Sequence, residues 1–362
     1  GGDPLKNRIV IIGGGPAGYE AALAGAKYGA DVTVIEERGI GGSSVLLDCV
    51  PSKSFIAGTG IKTDLRRADD MGLNSLLGRA RIHLPALNQR VKTLAQEQSE
   101  VHHEITATLE DGTEEVYEAD LVLIATGATP RILPNAKPDG ERILTWQQVY
   151  DLEEVPEHLI VVGSGVTGAE FVSAFAELGV KVTMVASRDR ILPHDDADAA
   201  DVLEHVLSQR GVSLEKHARV ESVTRTRDGG VCVKTSDGRE IFGSHAIMSI
   251  GSIPATEGLC LENVGVKTTD SGHIKVDRVS RTNVAGIYAA GDCTDLFPLA
   301  SVAAMQGRMA MYHALGEGVT PIRLKTVATA VFTRPEIATV GVTHAQVESG
   351  EVSARAVVLP LQ

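Results

Sequence analysis

The chain has 362 residues, which at the usual size of about 150 residues per domain suggests two domains or three. Lys and Arg number 34 against 47 Asp and Glu, and the resulting net charge of −13 is the wrong sign for generic nucleic-acid binding or for an anionic membrane surface. Hydrophobic content of 43% argues against disorder, and four cysteines (Cys49, Cys232, Cys260 and Cys293) are too few for a disulfide scaffold. The N-terminal apolar run stops at glycines after four residues, far short of a signal-peptide core or a membrane span. These features predict a soluble, cytoplasmic protein of a reducing compartment, with no integral membrane segment and no nucleic-acid partner.

Glycine is in excess, 38 of 362 or about 10.5% against an average near 7%, and it gathers where strands meet helices. Residues 9–12 (IVII) form an unbroken β-branched run that suits a parallel strand buried on both faces. Gly13-Gly14-Gly15-Pro16-Ala17-Gly18 follows, then a small-residue helix predicted over 17–26, Gly29, and a strand over 32–35 that ends on Glu36. This is the βαβ dinucleotide fingerprint. Gly13 makes the tight turn, Gly15 lets backbone N–H groups approach a pyrophosphate, Gly18 lets helix pack on strand, and Glu36 accepts from a ribose hydroxyl.

The unit recurs 150 positions later. Residues 159–162 (LIVV) lead into Gly163-Ser164-Gly165-Val166-Thr167-Gly168, a helix predicted over 169–178, Gly179 and a strand over 180–185. Two complete units predict two bound dinucleotides. The second strand ends on Ala186, Ser187, Arg188, Asp189 and Arg190 with no carboxylate at its tip. Without that carboxylate a 2′-phosphate is not repelled, so Ser187 and Arg188 allow or favour NADPH; the alternative is that both arginines are solvated surface charges.

Four further stretches make the pattern specific: residues 41–53 (GGSSVLLDCVPSK), Ala125-Thr126-Gly127 after a strand at 121–124, residues 282–292 (TNVAGIYAAGD), and residues 332–338 (FTRPEIA). In this order and spacing the chain resembles the pyridine nucleotide-disulfide oxidoreductases, the family of lipoamide dehydrogenase and glutathione reductase. The resemblance implies an α/β fold of two Rossmann-like domains that bind FAD and NAD(P), followed by the start of an α+β dimerisation domain. It implies FAD-binding residues 1–129 and 253–325, NAD(P)-binding residues 130–252, and a C-terminal domain that begins at 326–362. By the same resemblance FAD is held by Gly13, Gly15, Pro16, Ala17, Gly18, Glu36, Gly42, Ser43, Lys53, Ala125, Thr126, Gly127, Gly291 and Asp292. A helix starting near Leu299-Ala300-Ser301 aims its N-terminus at the flavin ring. NAD(P) falls to Gly163, Gly165, Val166, Thr167, Gly168, Glu170, Ser187, Arg188 and Gly251. Lys53 resembles the lysine beside flavin N5 and Glu170 its ion-pair partner.

One departure from the family pattern redirects the function. Disulfide reductases of this family carry cysteine at the positions of both Ser44 and Cys49, whereas here only Cys49 remains. A serine hydroxyl neither forms nor attacks a disulfide, so the usual dithiol relay is closed. The chain resembles a branch of lipoamide-dehydrogenase-like NAD(P)H:quinone reductases, sharing GSGVTGAEF, DADAA and LASVAAMQGR. That resemblance implies hydride transfer from NADPH or NADH to flavin and then electron transfer to a quinone or similar diffusible acceptor, in a homodimer. The alternatives are a transhydrogenase, an NAD(P)H oxidase or peroxidase, or a flavin-bearing redox-sensing subunit.

Cys49 itself is a charge-transfer thiolate, a former of sulfenic acid, or a retained buried thiol. Cys293 reads as core packing, and 194–198 (HDDAD) as a charged helix start with capping carboxylates rather than a metal site. The family's C-terminal domain has barely begun at Gln362, and an expected segment near Glu100-Val101 is short. Both features suggest that the sequence is a subset of a longer protein.

Overall fold

The computed structural model describes residues 8–37, 113 and 119–360, which gather into two compact units. The first holds 8–37, 119–129 and 252–324; the second holds 130–251 and 325–360. Elements run β1 (Arg8–Ile12), α1 (Pro16–Lys27), β2 (Asp31–Ile35), β3 (Leu121–Ile124), β4 (Ala128–Pro130), β5 (Ile143–Thr145), β6 (His158–Val162), α2 (Val166–Glu177), β7 (Lys181–Val185), α3 (Ala197–Gln209) and β8 (Ser213–Glu215). Next come β9 (Val220–Arg225), β10 (Val231–Thr235), β11 (Glu240–Gly243), β12 (His245–Met248), β13 (Ser252–Pro254), β14 (Ile287–Ala289), α4 (Ala300–Ala314), β15 (Ala328–Val331), β16 (Ile337–Val340) and α5 (His344–Glu348).

In the first unit the sheet order is β14-β3-β1-β2, with every neighbouring pair parallel. The chain leaves β1 through α1 to β2 on one side and returns to β3 on the other. That reversal opens the crevice where doubly wound sheets hold their ligands, at the carboxyl ends of β1 and β3. The small residues of α1 have a packing reason. Ala17, Ala21, Ala24 and Gly25 share its buried stripe, and a Cβ added at Gly307 of α4 would lie 2.0 Å from the Ala17 carbonyl oxygen. Only glycine lets α4 approach α1 so closely.

The second unit repeats the plan with the order β5-β12-β6-β7-β8, again all parallel. Here the return to the other side of β6 passes through an antiparallel meander, β9-β10-β11. Helix α2 is buried from Gly168 through Glu177. Phe175 is fully buried and Phe171 nearly so, their ring centroids 6.5 Å apart; each such side chain contributes about 2–3 kcal/mol of burial. Among the described residues no helix is long and apolar enough to cross a membrane.

Both fingerprint helices begin earlier than the sequence pattern predicts, at Pro16 and Val166 instead of 17 and 169. Proline at the first helical position is already set to a helical φ, and Gly165 takes the N-cap, drawing Val166 and Thr167 into the first turn. The capping expectation at 194–198 is corrected too. Asp196 occupies the N-cap of α3, but its side chain makes no cap hydrogen bond and instead accepts from the His344 N–H at 2.8 Å.

Candidate functional site: two nucleotide cradles

The first cradle is built around Gly13. Its N–H donates to the Ile35 carbonyl at 2.8 Å, and a Cβ there would meet the Ala125 oxygen at 2.0 Å. With φ at +108°, the position excludes side chains on two counts. A Cβ at Gly18 would lie 1.8 Å from the Gly13 oxygen, which is the close helix-on-strand contact expected of it. Gly15 caps α1 with no side-chain hydrogen bond, so the first-turn N–H groups of the helix face the crevice. The carboxylate of Glu36 accepts from the Gly14 N–H, which aims it across the glycine loop.

The far wall comes from residues late in the chain. Ala290 donates its N–H to Ile124 at 2.9 Å, bringing Gly291 and Asp292 to the end of β3. Burial pushes the Asp292 carboxyl up, with His273 opposing the shift. Gln306, fully buried in α4, accepts from the Gly291 N–H at 2.9 Å, and the buried Thr294 hydroxyl donates to the Gly291 oxygen at 2.7 Å. Helix α4 starts at Ala300 with Leu299 as N-cap and no side-chain cap, leaving its first-turn donors to the crevice. The buried Thr126 hydroxyl lies against the Cys293 thiol. Cys293 is fully buried against the Ile124 and Ala290 carbonyls, and burial pushes its thiol up to about 11, so it stays protonated and inert.

The second cradle copies the first. Gly163 donates to Val185 at 2.9 Å, its φ is +112°, and a Cβ would meet the Ser249 oxygen at 2.0 Å. A Cβ at Gly168 would lie 2.2 Å from the Gly163 oxygen. At Gly165 a Cβ would meet nothing within 4 Å, so this residue fronts open space and caps α2 without a side chain. Beside it Val166 is exposed and Thr167 half-buried. Ser187 and Arg188 are exposed beyond the tip of β7, whereas Arg190 is committed to its own loop, donating to Pro193 and Asp195 carbonyls at 3.1 and 2.7 Å. Gly251, at φ +93°, accepts from the Arg131 N–H at 2.9 Å in the chain passage after β12.

Glu170 is buried in α2, and one of its carboxylate oxygens accepts from the Phe332 N–H at 3.0 Å. Gly42, Ser43, Ser44, Cys49 and Lys53 lie outside the described residues. Sequence reasoning missed Gln306, Thr294 and Ser249. The signal for Gln306 was present, a single amide in the apolar stretch 302–311; Ser249, whose hydroxyl donates to Val162 at 2.9 Å under the glycine loop, carries no comparable signal.

Two parallel-sheet units, each with a glycine cradle and an uncapped helix at its switch point, define a protein that binds two dinucleotides. Residues 7–307 match the family model described as pyridine nucleotide-disulphide oxidoreductase, and the chain belongs to that family. It is 58% identical, over 99% of its length and 78% of the relative's, to an NAD(P)H dehydrogenase (quinone) of Mycobacterium tuberculosis. It is 33% identical to a dihydrolipoyl dehydrogenase of Bacillus subtilis, over 94% of this chain and 78% of that one. Among solved structures, LpdA from Mycobacterium tuberculosis superposes with a TM-score of 0.90 at 57% identity, covering 96% of this chain and 81% of that one. FAD and NAD(P)H are the cofactors of the family, and the residues present fit both: helix N-termini without side-chain caps for the pyrophosphates and Glu36 for a ribose.

Proposed function

We propose that this chain is an FAD-dependent NAD(P)H:quinone oxidoreductase. The overall reaction takes NAD(P)H, a proton and a quinone to NAD(P)+ and the hydroquinone. FAD, when bound, supplies the redox chemistry, accepting hydride and releasing two electrons. The observation that carries the reading is Ser44. Where a disulfide reductase needs two cysteines, this chain has only Cys49, and the electrons must leave without a thiol relay. The 58% identity to an NAD(P)H dehydrogenase (quinone) supports the same conclusion.

On this reading Gly13, Gly15, Pro16, Ala17 and Gly18 hold the FAD pyrophosphate by backbone donors, Glu36 the adenosine ribose, and Asp292 the ribityl region. Gly42, Ser43, Ala125, Thr126, Gly127 and Gly291 complete that set. The dipole of α4 stabilises negative charge on the reduced ring. Gly163, Gly165, Val166, Thr167, Gly168 and Gly251 hold NAD(P)H, and Ser187 with Arg188 accepts the 2′-phosphate of NADPH. Lys53 and Glu170 form the ion pair at the flavin that orients the hydride step. Residues 1–129 with 253–325 serve FAD, 130–252 serve NAD(P)H, and 326–362 begin a dimerisation domain. We place the enzyme in the cytoplasm on its few cysteines, and as a homodimer on the strength of the family resemblance; sedimentation at working concentration tests the assembly.

The deciding experiment follows NADPH and NADH oxidation by the purified flavoprotein with menadione, lipoamide, oxidised glutathione or O2 as acceptor. Quinone-dependent turnover that survives Cys49→Ser within about twofold is expected, because no thiolate is needed. Appreciable lipoamide or glutathione turnover that Cys49→Ser abolishes would overturn the reading.

A further inference from the structure

Three residues on one stripe of α2 engage the segment after β15. Glu170 accepts from the Phe332 N–H at 3.0 Å, Ser173 accepts from the Arg334 N–H at 3.0 Å through its hydroxyl oxygen, and Glu177 lies 3.4 Å from Arg334 Nε. Positions i, i+3 and i+7 share a helix face, and the loop between β15 and β16 bends at 333–335 so that the Phe332 and Arg334 N–H groups both reach that face. A long carboxylate at 170 takes the first donor and a short hydroxyl at 173 the second. Thr333, between the two donors, is buried and turns its hydroxyl to the Pro335 carbonyl at 2.7 Å.

Arg334 is fixed at a third point. Its carbonyl accepts from Arg210 Nη1 at 2.8 Å, and Arg210 in turn stands 4.0 Å from the Glu177 carboxylate. Glu177 is only 4% exposed, so a charge there needs both guanidinium groups close by. The register of residues 332–334 on α2 is therefore set by Ser173, Glu177 and Arg334, none of which belongs to the nucleotide cradle.

We propose that this rail positions Glu170: by fixing the register of 332–334 it holds the Phe332 N–H on the Glu170 carboxylate and so locks the orientation that the hydride step uses. The inference rests on the reading of Glu170 given above. Ser173, Glu177 and Arg334 are then positioning residues that act through Glu170. A slipped segment would withdraw the Phe332 donor and so loosen one of the bonds that orient the carboxylate, which raises the barrier without touching nucleotide binding.

The test uses the full FAD-loaded protein and stopped-flow reduction by saturating NADPH. Reoxidation by menadione, NADPH affinity and thermal midpoint serve as controls, and deuterium exchange of the peptide over 331–336 gives a readout independent of turnover. Ser173→Ala is expected to slow flavin reduction about fivefold or more at unchanged NADPH affinity and reoxidation, with faster exchange at 331–336. Ser173→Thr restores the rate, and Ser173→Ala adds nothing further on Glu170→Gln. Should Ser173→Ala fail to fold, Glu177→Gln is read in the same way, with the same expectation. Normal flavin reduction in a folded Ser173→Ala or Glu177→Gln protein, beside a slow Glu170→Gln, overturns the positioning role and leaves the Glu170 reading intact. Full additivity of the two slow variants overturns it as well. Normal reduction in Glu170→Gln overturns the Glu170 reading and the positioning role with it.

Discussion

The two cradles are near copies in backbone and differ in what surrounds them. Gly13 and Gly163 sit at φ +108° and +112°, and a Cβ on either would meet a carbonyl of the returning strand at 2.0 Å. Gly15 and Gly165 cap their helices at almost the same dihedrals, φ −70° and ψ −171° against φ −73° and ψ −170°. Around this shared frame the first unit adds Glu36 at a strand tip and α4 against α1, whereas the second has Ala186 at the tip and the 332–334 segment against α2. The lesson is that the phosphate cradle is set by sterics that allow no variation. Identity of the nucleotide is left to side chains one layer further out.

Breaking the frame should therefore disable each unit separately and severely. Gly163→Ala places a methyl group against the Ser249 carbonyl at a left-handed φ, a strain on the order of 3 kcal/mol or more. The expected protein keeps its yellow flavin, yet NADPH reduces it at least about 100-fold more slowly. Gly13→Ala, with the same clash in the first unit, should instead yield protein without flavin; absorbance of the purified variants separates the two. A narrower break is Gln306→Leu, which leaves the Gly291 N–H unpaired in a buried wall and costs about 2 kcal/mol. Only FAD retention should fall, measured as flavin released on dilution, while NADPH affinity holds.

Acid should separate the units on the second side. Burial, with the charge of Arg142 beside it, depresses the His245 imidazole at the head of β12 from its usual range to about 4. The unfolded chain takes up that proton near pH 6.5, so the fold loses stability as pH falls from about 6.5 to about 4 and levels off below; the loss is on the order of 3 kcal/mol. His158, at the head of β6, is depressed in the same direction by burial and by Lys181. Thermal midpoints across this range should fall less steeply in His245→Asn. The smallest change concerns the strand tip: Ala186→Glu gives the second unit the carboxylate of the first and should raise KM for NADPH about tenfold while leaving NADH within about twofold. Equal effects on the two nucleotides would show that the tip does not read the 2′-phosphate.

Much of this frame was legible in the residues. Glycine spacing and β-branched runs announced both βαβ units, because only glycine survives those contacts and only such strands fill a sheet covered on both faces. Ser44 likewise spoke directly, since a missing sulfur is a chemical fact at any resolution. What stayed hidden depends on distant pairing. Gln306 reaches Gly291 and Arg334 reaches Ser173 only once separate segments have met, and no local period encodes that. Asp196 misled for the same reason: an ordinary N-cap residue was claimed by the His344 N–H, 148 positions away.

The contact of Gly307 with Ala17 carries a consequence for synthesis on the ribosome. Among the described residues the five-stranded sheet of the second unit has all its strands once Met248 has emerged, but the first lacks β14 until Ala289 and α4 until Ala314. The opening strands of the protein therefore wait for β14 and α4 while the middle of the chain folds. Protection of those early strands in nascent chains arrested after Met248 and after Ala314 would show the wait directly. The first-made strands close only on late residues, so the first cradle is completed after the second, and glycine at 307 lets that late closure occur.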